Sequence, residues 1–402
     1  MGAGGRCVAA GLLMLLSAGV VAAQTPHPDN RTQYPALLIN SYFSVDIGFI
    51  DYPFSDLQLD PPFHAASIRT PHAAARIALF GHEFNRYLSA QLTYMRPARY
   101  VTYTNINGDR RPHHVWTHFG GLTAKLALPV AARTSIYGEA GLGITTRDGF
   151  NDTPGVPVVR SAQYASWLAG AGIDRRVSRS VDLTAGVTFS PGRGRDAEPH
   201  ALLISGGFRV TMRRLSEDKV EANRRSGYAF PANLVQIEYA TGFGYAINTF
   251  LSDRLPVFWG GLVKVDRGVA AHYDRNVFHT RKRFELDVGT SASWWRTRTD
   301  REPFTTLSVY PLFRFMLVRT ARADVYACYS LAGPTFISRQ TLDGLDTGRH
   351  FTFQDFIGAG SYVGRHRNIV VGVKINHYSN GNIFTTNAGV KVPVTFTAGY
   401  AF

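Results

Sequence analysis

The sequence predicts an all-β fold made of transmembrane antiparallel β-barrels. Three observations support this prediction: an N-terminal stretch typical of an export signal, no later apolar run of the roughly 18 residues that a membrane helix needs, and many short segments in which apolar residues alternate with small or polar ones. Within a bilayer, only helices and closed barrels satisfy every backbone hydrogen bond. An exported chain without spanning helices is therefore predicted to cross the membrane as a barrel.

Residues 1–23 have the features of a cleaved signal peptide. Arg6 gives a positive start, an apolar run extends from Val8 to Val21, and two alanines follow at the expected cleavage point. Cleavage removes Cys7, so the mature chain keeps only Cys328 and is expected to form no intramolecular disulfide. Its stability must then come from burial or from a membrane.

The composition fits strands with one lipid-facing side and one polar side. The chain contains 39 Gly, 26 Phe and 19 Tyr, but only 18% of its residues are charged, and its mean hydropathy is close to zero. A membrane strand explains this balance, because it shows one face to lipid and the other to a polar interior. The formal net charge of +14 suits a protein among anionic lipid phosphates. Nucleic acid would also suit that charge, but export argues against such a partner.

The chain divides into two halves, each with about eight strand-like runs. We expect a first barrel over residues 35–212, a charged linker over 213–230 and a second barrel over 231–402. Short connections alternate with longer ones, as in outer-membrane barrels. Eight strands are the fewest that close a filled barrel, so the leading interpretation is two eight-stranded barrels in tandem. A single sixteen-stranded pore is the alternative.

The segment HYSNG (377–381) contains a candidate catalytic pair. In the predicted strand before it, alternate residues from Ile369 to Ile375 form an apolar stripe that should face lipid. His377 and Ser379 continue the same face at the membrane boundary, with Cα atoms roughly 6–7 Å apart. An adjacent base can activate a serine hydroxyl. The pattern therefore predicts a Ser/His pair that acts on an ester whose acyl chain lies in the bilayer.

Four segments of the C-terminal half, together with its aromatic C-terminus, are similar to those of a known protein family. They are FELDVG (284–289), FTFQDFIGAG (351–360), HYSNG (377–381) and NAG (387–389). With them the C-terminal half, about residues 234–402, resembles the lipid A 3-O-deacylases of the PagL type, outer-membrane barrels that cleave an acyl ester from lipopolysaccharide. The N-terminal half resembles the small OmpA-like outer-membrane barrel domains, in pattern alone. The resemblance implies a hydrolase of the Gram-negative outer membrane that acts on lipid A and needs no cofactor or metal.

Carried over by position, the resemblance assigns Ser379 as the nucleophile and His377 as its general base. The oxyanion hole would consist of Asn380, Gly381, Asn382 and Asn387. The chemistry requires these roles, because a serine needs a base to attack an ester and the tetrahedral oxyanion needs fixed donors.

The third member of the family's triad does not match. A glutamate two residues after the glycine of NAG falls on Lys391 here, and a lysine disfavours the imidazolium that forms during attack. Three explanations are open. Asp355 on the preceding strand replaces the glutamate, because the short GRHR turn brings it near His377. An asparagine, Asn382 or Asn387, orients the ring instead. Or the barrel is inactive and has an adhesin, binding or structural role.

Further expectations concern partners. Phe402, at the end of an amphipathic strand, is what the barrel-assembly machinery of the outer membrane is expected to read. The sequence leaves open whether the protein forms homo-oligomers and what the N-terminal barrel does. A set of basic residues is expected either to contact lipid A phosphates at the membrane rim or to be solvated. The set is Arg281, Lys282, Arg283, Arg296 and Arg298.

Overall fold

The computed structural model describes residues 30–153, 155–254, 261–384 and 386–402. Over these residues the chain forms two closed antiparallel barrels of eight strands each. The prediction of two barrels is confirmed, and the sixteen-stranded pore is wrong because each half of the chain closes upon itself. The predicted signal peptide, residues 1–23, lies outside the described residues. No helix within the described ranges is both long and apolar enough to cross a bilayer.

The N-terminal barrel is built from eight of twelve strands. The twelve are β1 (Ser41–Asp51), β2 (Ala65–Arg69), β3 (Ala73–Glu83), β4 (Leu88–Pro97), β5 (Val101–Ile106), β6 (His113–Ala131), β7 (Thr134–Asp148), β8 (Phe150–Thr153), β9 (Val156–Val159), β10 (Ala162–Arg176), β11 (Val181–Ser190) and β12 (Ala201–Thr211). Short 3-10 helices lie at Asn30–Thr32, Ala36–Leu38, Asp56–Gln58 and Gly194–Asp196. The barrel order is β6-β4-β3-β1-β12-β11-β10-β7, and the pairing of β6 with β7 closes it.

The four remaining short strands lie at one end of this barrel. The strand-like run from Tyr87 to Thr104 divides into β4 and β5. Pro97 ends β4, because proline has no backbone N–H for the next ladder bond. β5 pairs with β2 and with the start of β6, while β8 pairs with β9. Buried side chains from this region, including Tyr52 and Tyr103, form a hydrophobic cluster over that end.

The C-terminal barrel follows a linker that contains helix α1 (Glu217–Arg224). Its elements are β13 (Asn233–Ala240), helix α2 (Tyr245–Arg254), β14 (Val263–His279), β15 (Phe284–Thr297), β16 (Pro303–Arg319), β17 (Ala323–Ile337), β18 (Thr341–Leu342), β19 (Leu345–Asp346), β20 (Phe351–Val363), β21 (Ile369–Ser379) and β22 (Val390–Ala401). The wall runs in chain order, with β18 and β19 forming a separate pair, and β22 closes on β13.

Strand β13 is the shortest strand in the wall of the C-terminal barrel. It ends at Ala240, and Gly242 and Gly244 follow with φ of 73° and 87°, a backbone conformation that glycine adopts without steric penalty. Beyond the end of β13, β14 pairs directly with β22 at Val263 and Val390. The connection from β13 to β14, which includes α2, therefore leaves the barrel wall beside β22.

Paired charges fill both barrel interiors. In the N-terminal barrel, Arg76 lies 2.7 Å from Glu139. In the C-terminal barrel, Arg314 contacts three carboxylates, among them that of Asp274 at 2.7 Å. Buried charges are tolerated in a fold when they are paired. Both interiors are thus packed with side chains, and the outer walls and rims are left to carry functional sites.

The two ends of the barrels differ in their connections. Because each barrel has an even number of strands, its first strand begins and its last strand ends at the same end. The connections at that end are short: 84–87, 132–133, 177–180, 280–283, 320–322 and 364–368. Connections at the other end include the longer segments 241–262, 338–350 and 380–389. Outer-membrane barrels have short periplasmic turns and longer extracellular loops, so the strand termini mark the periplasmic end.

This orientation corrects the expectation for part of the basic set. Arg281, Lys282 and Arg283 lie in the turn between β14 and β15, at the periplasmic end, and cannot reach lipid phosphates at the extracellular rim. Arg296 lies at the extracellular end, where its guanidinium is 3.1 Å from the carboxylate of Asp266. Arg296 is therefore already partly neutralised by the protein.

Candidate active site

His377 and Ser379 lie at the extracellular end of β21 and project from the outer face of the barrel wall. Side chains alternate along a strand, and the even-numbered neighbours point inward. Asn376 donates a 2.5 Å hydrogen bond to Glu238 in the interior, and Lys374 Nζ lies 3.7 Å from the same carboxylate. The two candidate catalytic side chains therefore share the outer face, as strand periodicity predicts.

The outer face of β21 is exposed along only part of its length. Ile369, Val371 and Val373 are 53%, 46% and 42% exposed, but Ile375 and His377 are only 5% and 1% exposed. An outward side chain of a barrel is buried only where another part of the chain lies over it. At this end α2 packs against β22, the strand next to β21. The expectation of a lipid-exposed His377 is therefore wrong, because protein shields the imidazole.

Asp355 on β20 is the cross-strand partner of His377. Its Oδ2 lies 3.7 Å from His377 Nδ1, which is longer than a hydrogen bond, although catalytic hydrogen bonds often shorten only when substrate binds. Its Oδ1 accepts a 2.6 Å hydrogen bond from the Ala332 amide. That amide is turned toward Asp355 because the ladder between β17 and β20 is interrupted here and Ala332 has a φ of 52°. The bulge thus fixes the carboxylate beside the histidine.

Lys391 on β22 is the cross-strand partner of His377 on the opposite side. Directly opposed residues have Cβ atoms roughly 4.5–5.5 Å apart, so a carboxylate at either neighbouring position can orient the imidazole. In this chain the carboxylate is on β20, at Asp355, and the lysine stands where the resemblance implies a glutamate. The catalytic role of Asp355 stays a prediction.

Two hydrogen-bond donors converge on the Ser379 hydroxyl. Asn387 Nδ2 lies 2.8 Å from Ser379 Oγ, and the Gly381 amide nitrogen lies 3.2 Å from it. The Asn387 amide group donates its second proton to Asn382 Oδ1 at 2.6 Å, which fixes its orientation. Donors this close to a nucleophile can bind the oxyanion that forms beside it.

Asn380 and Asn382 support the loop after β21. The side-chain amide of Asn380 donates to the carbonyls of Thr347 and Thr386, at 3.1 Å and 2.7 Å. Gly381 and Asn382 have φ of 63° and 58°, in the left-handed region that glycine and asparagine tolerate best. Of the four residues predicted for the oxyanion hole, Gly381 and Asn387 donate hydrogen bonds to the Ser379 hydroxyl. Asn380 and Asn382 instead hold the loop in place.

Three side chains of the N-terminal barrel contact this loop. His118 Nε2 lies 3.0 Å from Asn382 Nδ2, and Thr146 Oγ1 donates to the Asn382 carbonyl at 2.7 Å. Gln163 Nε2 donates to the Ile383 carbonyl. Sequence reasoning missed these residues because they lie on β6, β7 and β10 of the other barrel, at least 220 positions away in the chain.

A cavity of about 320 Å³ opens between the barrels beside Asn387. Thr146 and Ser161 line it from the N-terminal barrel, while Leu262 and Phe384 are among the residues that line it from the C-terminal barrel. This mixture of polar and apolar side chains suits an amphipathic molecule. Within the described ranges, no three His, Cys, Asp or Glu side chains are grouped in a way that could hold a metal ion.

Two families match different parts of the chain. Residues 267–400 match the family described as lipid A 3-O-deacylase (PagL), and residues 63–189 match the OmpA-like transmembrane domain. A comparison with curated proteins gave no match. These two matches agree with the resemblances found in the sequence, and each covers about a third of the chain.

Solved structures with a similar fold are outer-membrane proteins. The crystal structure of the outer membrane enzyme PagL is 17% identical with a TM-score of 0.31, and the match covers 42% of this chain and 100% of that one. Ail, the attachment invasion locus protein of Yersinia pestis, is 15% identical with a TM-score of 0.28, over 42% and 99% of the two chains. Neisserial surface protein A is 15% identical with a TM-score of 0.28, over 43% and 97%. Likeness at this level of identity concerns the fold alone.

The localisation follows from the family matches and the architecture together. Both matched families consist of outer-membrane barrels, and the chain forms two such barrels with the short and long connections expected for that membrane. The chain is therefore an outer-membrane protein of a Gram-negative bacterium that joins an OmpA-like barrel to a barrel similar to the PagL lipid A 3-O-deacylases.

Proposed function

We propose that this protein is a serine hydrolase that removes an ester-linked acyl chain from lipid A. One observation supports this proposal above others: Asp355 and Ser379 flank His377 on one outer face of the C-terminal barrel, and two donors converge on the serine hydroxyl. This arrangement lies within the segment that matches the deacylase family.

In the proposed reaction, Ser379 Oγ attacks the carbonyl carbon of the acyl ester while His377 takes the hydroxyl proton. The carbonyl oxygen becomes an oxyanion that accepts hydrogen bonds from the Gly381 and Asn387 amides. Collapse of the intermediate breaks the bond to the glucosamine oxygen, which leaves as a hydroxyl after accepting the proton from His377. Water then attacks the acyl-serine with His377 again as base, and the fatty acid is released.

Asp355 supplies the charge that this cycle needs beside the histidine. An acid next to the imidazole holds it in the right orientation and stabilises the imidazolium that forms during attack. With Nδ1 directed at Asp355, Nε2 is the nitrogen that exchanges the proton with Ser379. Lys391 opposes this effect from the other neighbouring strand, so the carboxylate has to outweigh it.

The contrasting candidate is an inactive barrel with a binding or structural role. Lys391 is the observation that favours it, because a lysine at this position disfavours a positively charged histidine. Mass spectrometry of lipid A separates the two. In a Gram-negative host whose lipid A carries ester-linked acyl chains, production of the full-length protein is expected to give lipid A lighter by one acyl chain, together with the free fatty acid. Unchanged lipid A in cells that hold the folded protein in the outer membrane would reject the hydrolase.

The role of Asn387 as an oxyanion donor can be tested separately. Asn387→Ala removes a donor that contacts the serine hydroxyl, so kcat is expected to fall roughly 10²- to 10³-fold with KM little changed. The measurement is fatty-acid release from purified lipid A in mixed micelles. The matched control is Asn368→Ala, since Asn368 donates to the Tyr400 hydroxyl at the periplasmic end. Equal turnover by the two variants would remove Asn387 from the oxyanion hole.

A further inference from the structure

We propose that the N-terminal barrel is a positioning element of the active site, holding the oxyanion loop of the other barrel in its catalytic conformation. The oxyanion loop is defined here as residues 380–384. The inference rests on the proposed hydrolase function and gives the N-terminal barrel a task. His118, Thr146 and Gln163 are the positioning residues, and they act through the loop rather than on the substrate.

A chain of hydrogen bonds connects the N-terminal barrel to the nucleophile. Asn387 Nδ2 donates one proton to Ser379 Oγ and the other to Asn382 Oδ1. The Nδ2 of Asn382 is in turn 3.0 Å from His118 Nε2. Because Asn382 accepts through its oxygen on one side and donates through its nitrogen on the other, its amide plane is fixed from both directions. Asn387 Oδ1 also accepts a hydrogen bond from the Asn380 N–H at 3.2 Å. The amide of the oxyanion donor Asn387 is therefore held on one side by its own loop and on the other, through Asn382, by His118.

His118 is itself held by its own barrel. Its side chain is buried, its Nδ1 contacts the Tyr94 hydroxyl, and its ring is stacked on Trp116 with centroids 5.5 Å apart. An asparagine Nδ2 can only donate, so Nε2 of His118 must be the acceptor and Nδ1 carries the proton. The ring thus presents a fixed acceptor to Asn382.

The loop backbone is held by two neighbouring wall strands. Thr146 on β7 donates to the Asn382 carbonyl at 2.7 Å, and Gln163 on β10 donates to the Ile383 carbonyl. These strands pair along most of their length, so they form a rigid anchor for a loop that has no ladder of its own. A misplacement of about 1 Å in catalytic groups is enough to lower a rate roughly 100-fold, which is why such an anchor matters for turnover.

The alternative role for these contacts is to dock the two barrels without influence on catalysis. Three variants of the full-length protein separate the roles. His118→Leu removes the acceptor and keeps most of the side-chain bulk, His118→Gln restores an acceptor, and Thr146→Val removes only a hydroxyl. The matched control is His82→Leu, since His82 bonds Ser41 at the periplasmic end.

The test is steady-state release of fatty acid from purified lipid A, with folding checked by heat-modifiable electrophoretic mobility. We expect His118→Leu to lower kcat roughly 10- to 100-fold with KM little changed, Thr146→Val to lower it less, and His118→Gln to recover most of the loss. His82→Leu should retain wild-type turnover. Should His118→Leu fail to fold, the Gln and Val variants carry the test, because a docking role predicts wild-type kcat for both, whereas positioning predicts a loss for Thr146→Val.

A double-mutant cycle gives a second, independent outcome. If His118 acts through Asn387, then His118→Leu should cause no further loss of kcat in an Asn387→Ala background. Fully additive losses, or His118→Leu turnover equal to that of His82→Leu, would overturn the positioning role and leave the proposed function intact. An inactive wild-type protein would reject the proposed function and this inference together.

Discussion

Replacing Ser379 by alanine is expected to abolish acyl-chain release from lipid A, with kcat falling roughly 10⁴- to 10⁶-fold. The hydroxyl oxygen forms the covalent bond to the acyl group, so its removal eliminates the acyl-enzyme. The oxyanion donors and substrate binding alone sustain only a small residual rate. In cells, lipid A from a strain that makes this variant should match lipid A from a strain without the gene.

The same substitution is expected to leave the fold intact. Ser379 is the last residue of β21 and is only partly buried, and its hydroxyl accepts rather than donates the two hydrogen bonds that the loop makes to it. Water can replace that acceptor when the side chain is shortened. Heat-modifiable mobility on gels should therefore show a closed barrel for the variant as for the wild type.

The matched control is Ser361→Ala on β20. Ser361 Oγ donates to the Asp324 carbonyl, near the periplasmic end of the same barrel, and the substitution removes the same atom far from the site. Lipid A from cells with this variant should show the wild-type loss of an acyl chain. If Ser379→Ala released fatty acid as fast as Ser361→Ala, Ser379 would not be the nucleophile.

The barrel architecture could be predicted because each wall strand has to alternate. A strand with lipid on one side and a polar interior on the other leaves a period of two in the sequence, as in Leu183–Phe189 of β11. The short strands at the extracellular end pack on a local hydrophobic cluster rather than on lipid, and alternation in sequence does not distinguish these two environments. The run from Tyr87 to Thr104 is divided at Pro97 into β4 and β5, although both parts are strand-like in sequence.

Part of the candidate site could be predicted by the same reasoning. Strand periodicity puts His377 and Ser379 on one face, and a tight turn at 364–368 fixes the register that opposes Asp355 to His377. The burial of His377 could not be predicted, because it depends on segments that pack over the barrel wall. The contact between His118 and Asn382 depends on how the two barrels pack against each other. The sequence pattern around either residue does not predict that packing.

Replacing Asp355 by asparagine is expected to lower kcat roughly 10³- to 10⁴-fold, the range seen when the acid of a catalytic triad is removed or made neutral. Asparagine keeps an oxygen that can accept the hydrogen bond from the Ala332 amide, so the bulge in β17 should persist. What is lost is the negative charge that orients and stabilises the protonated imidazole. The matched control is Asp343→Asn, since Asp343 also accepts a backbone hydrogen bond, from the Asp300 amide.

His377 has a cross-strand partner on each side. A carboxylate on β22 is therefore expected to restore part of the kcat that Asp355→Asn removes. Lys391 opposes His377 on β22, so Lys391→Glu puts a carboxylate on the second neighbouring strand, where the family resemblance implies one. The double variant Asp355→Asn/Lys391→Glu is expected to regain at least about tenfold in kcat over Asp355→Asn alone. Asp355→Asn/Lys391→Met, which removes the lysine without adding a carboxylate, should regain less.

The three variants also discriminate between the explanations for the missing glutamate. If Asn382 or Asn387 orients the ring, Asp355→Asn will release fatty acid at the rate of Asp343→Asn, and the carboxylate has no part in the reaction. If Asp355→Asn loses activity only because it disturbs the bulge in β17, Lys391→Glu will fail to restore that activity, since a carboxylate on β22 cannot reach the Ala332 amide. Rescue by glutamate but not by methionine requires that His377 respond to a negative charge on either neighbouring strand, as expected for a general base in a triad.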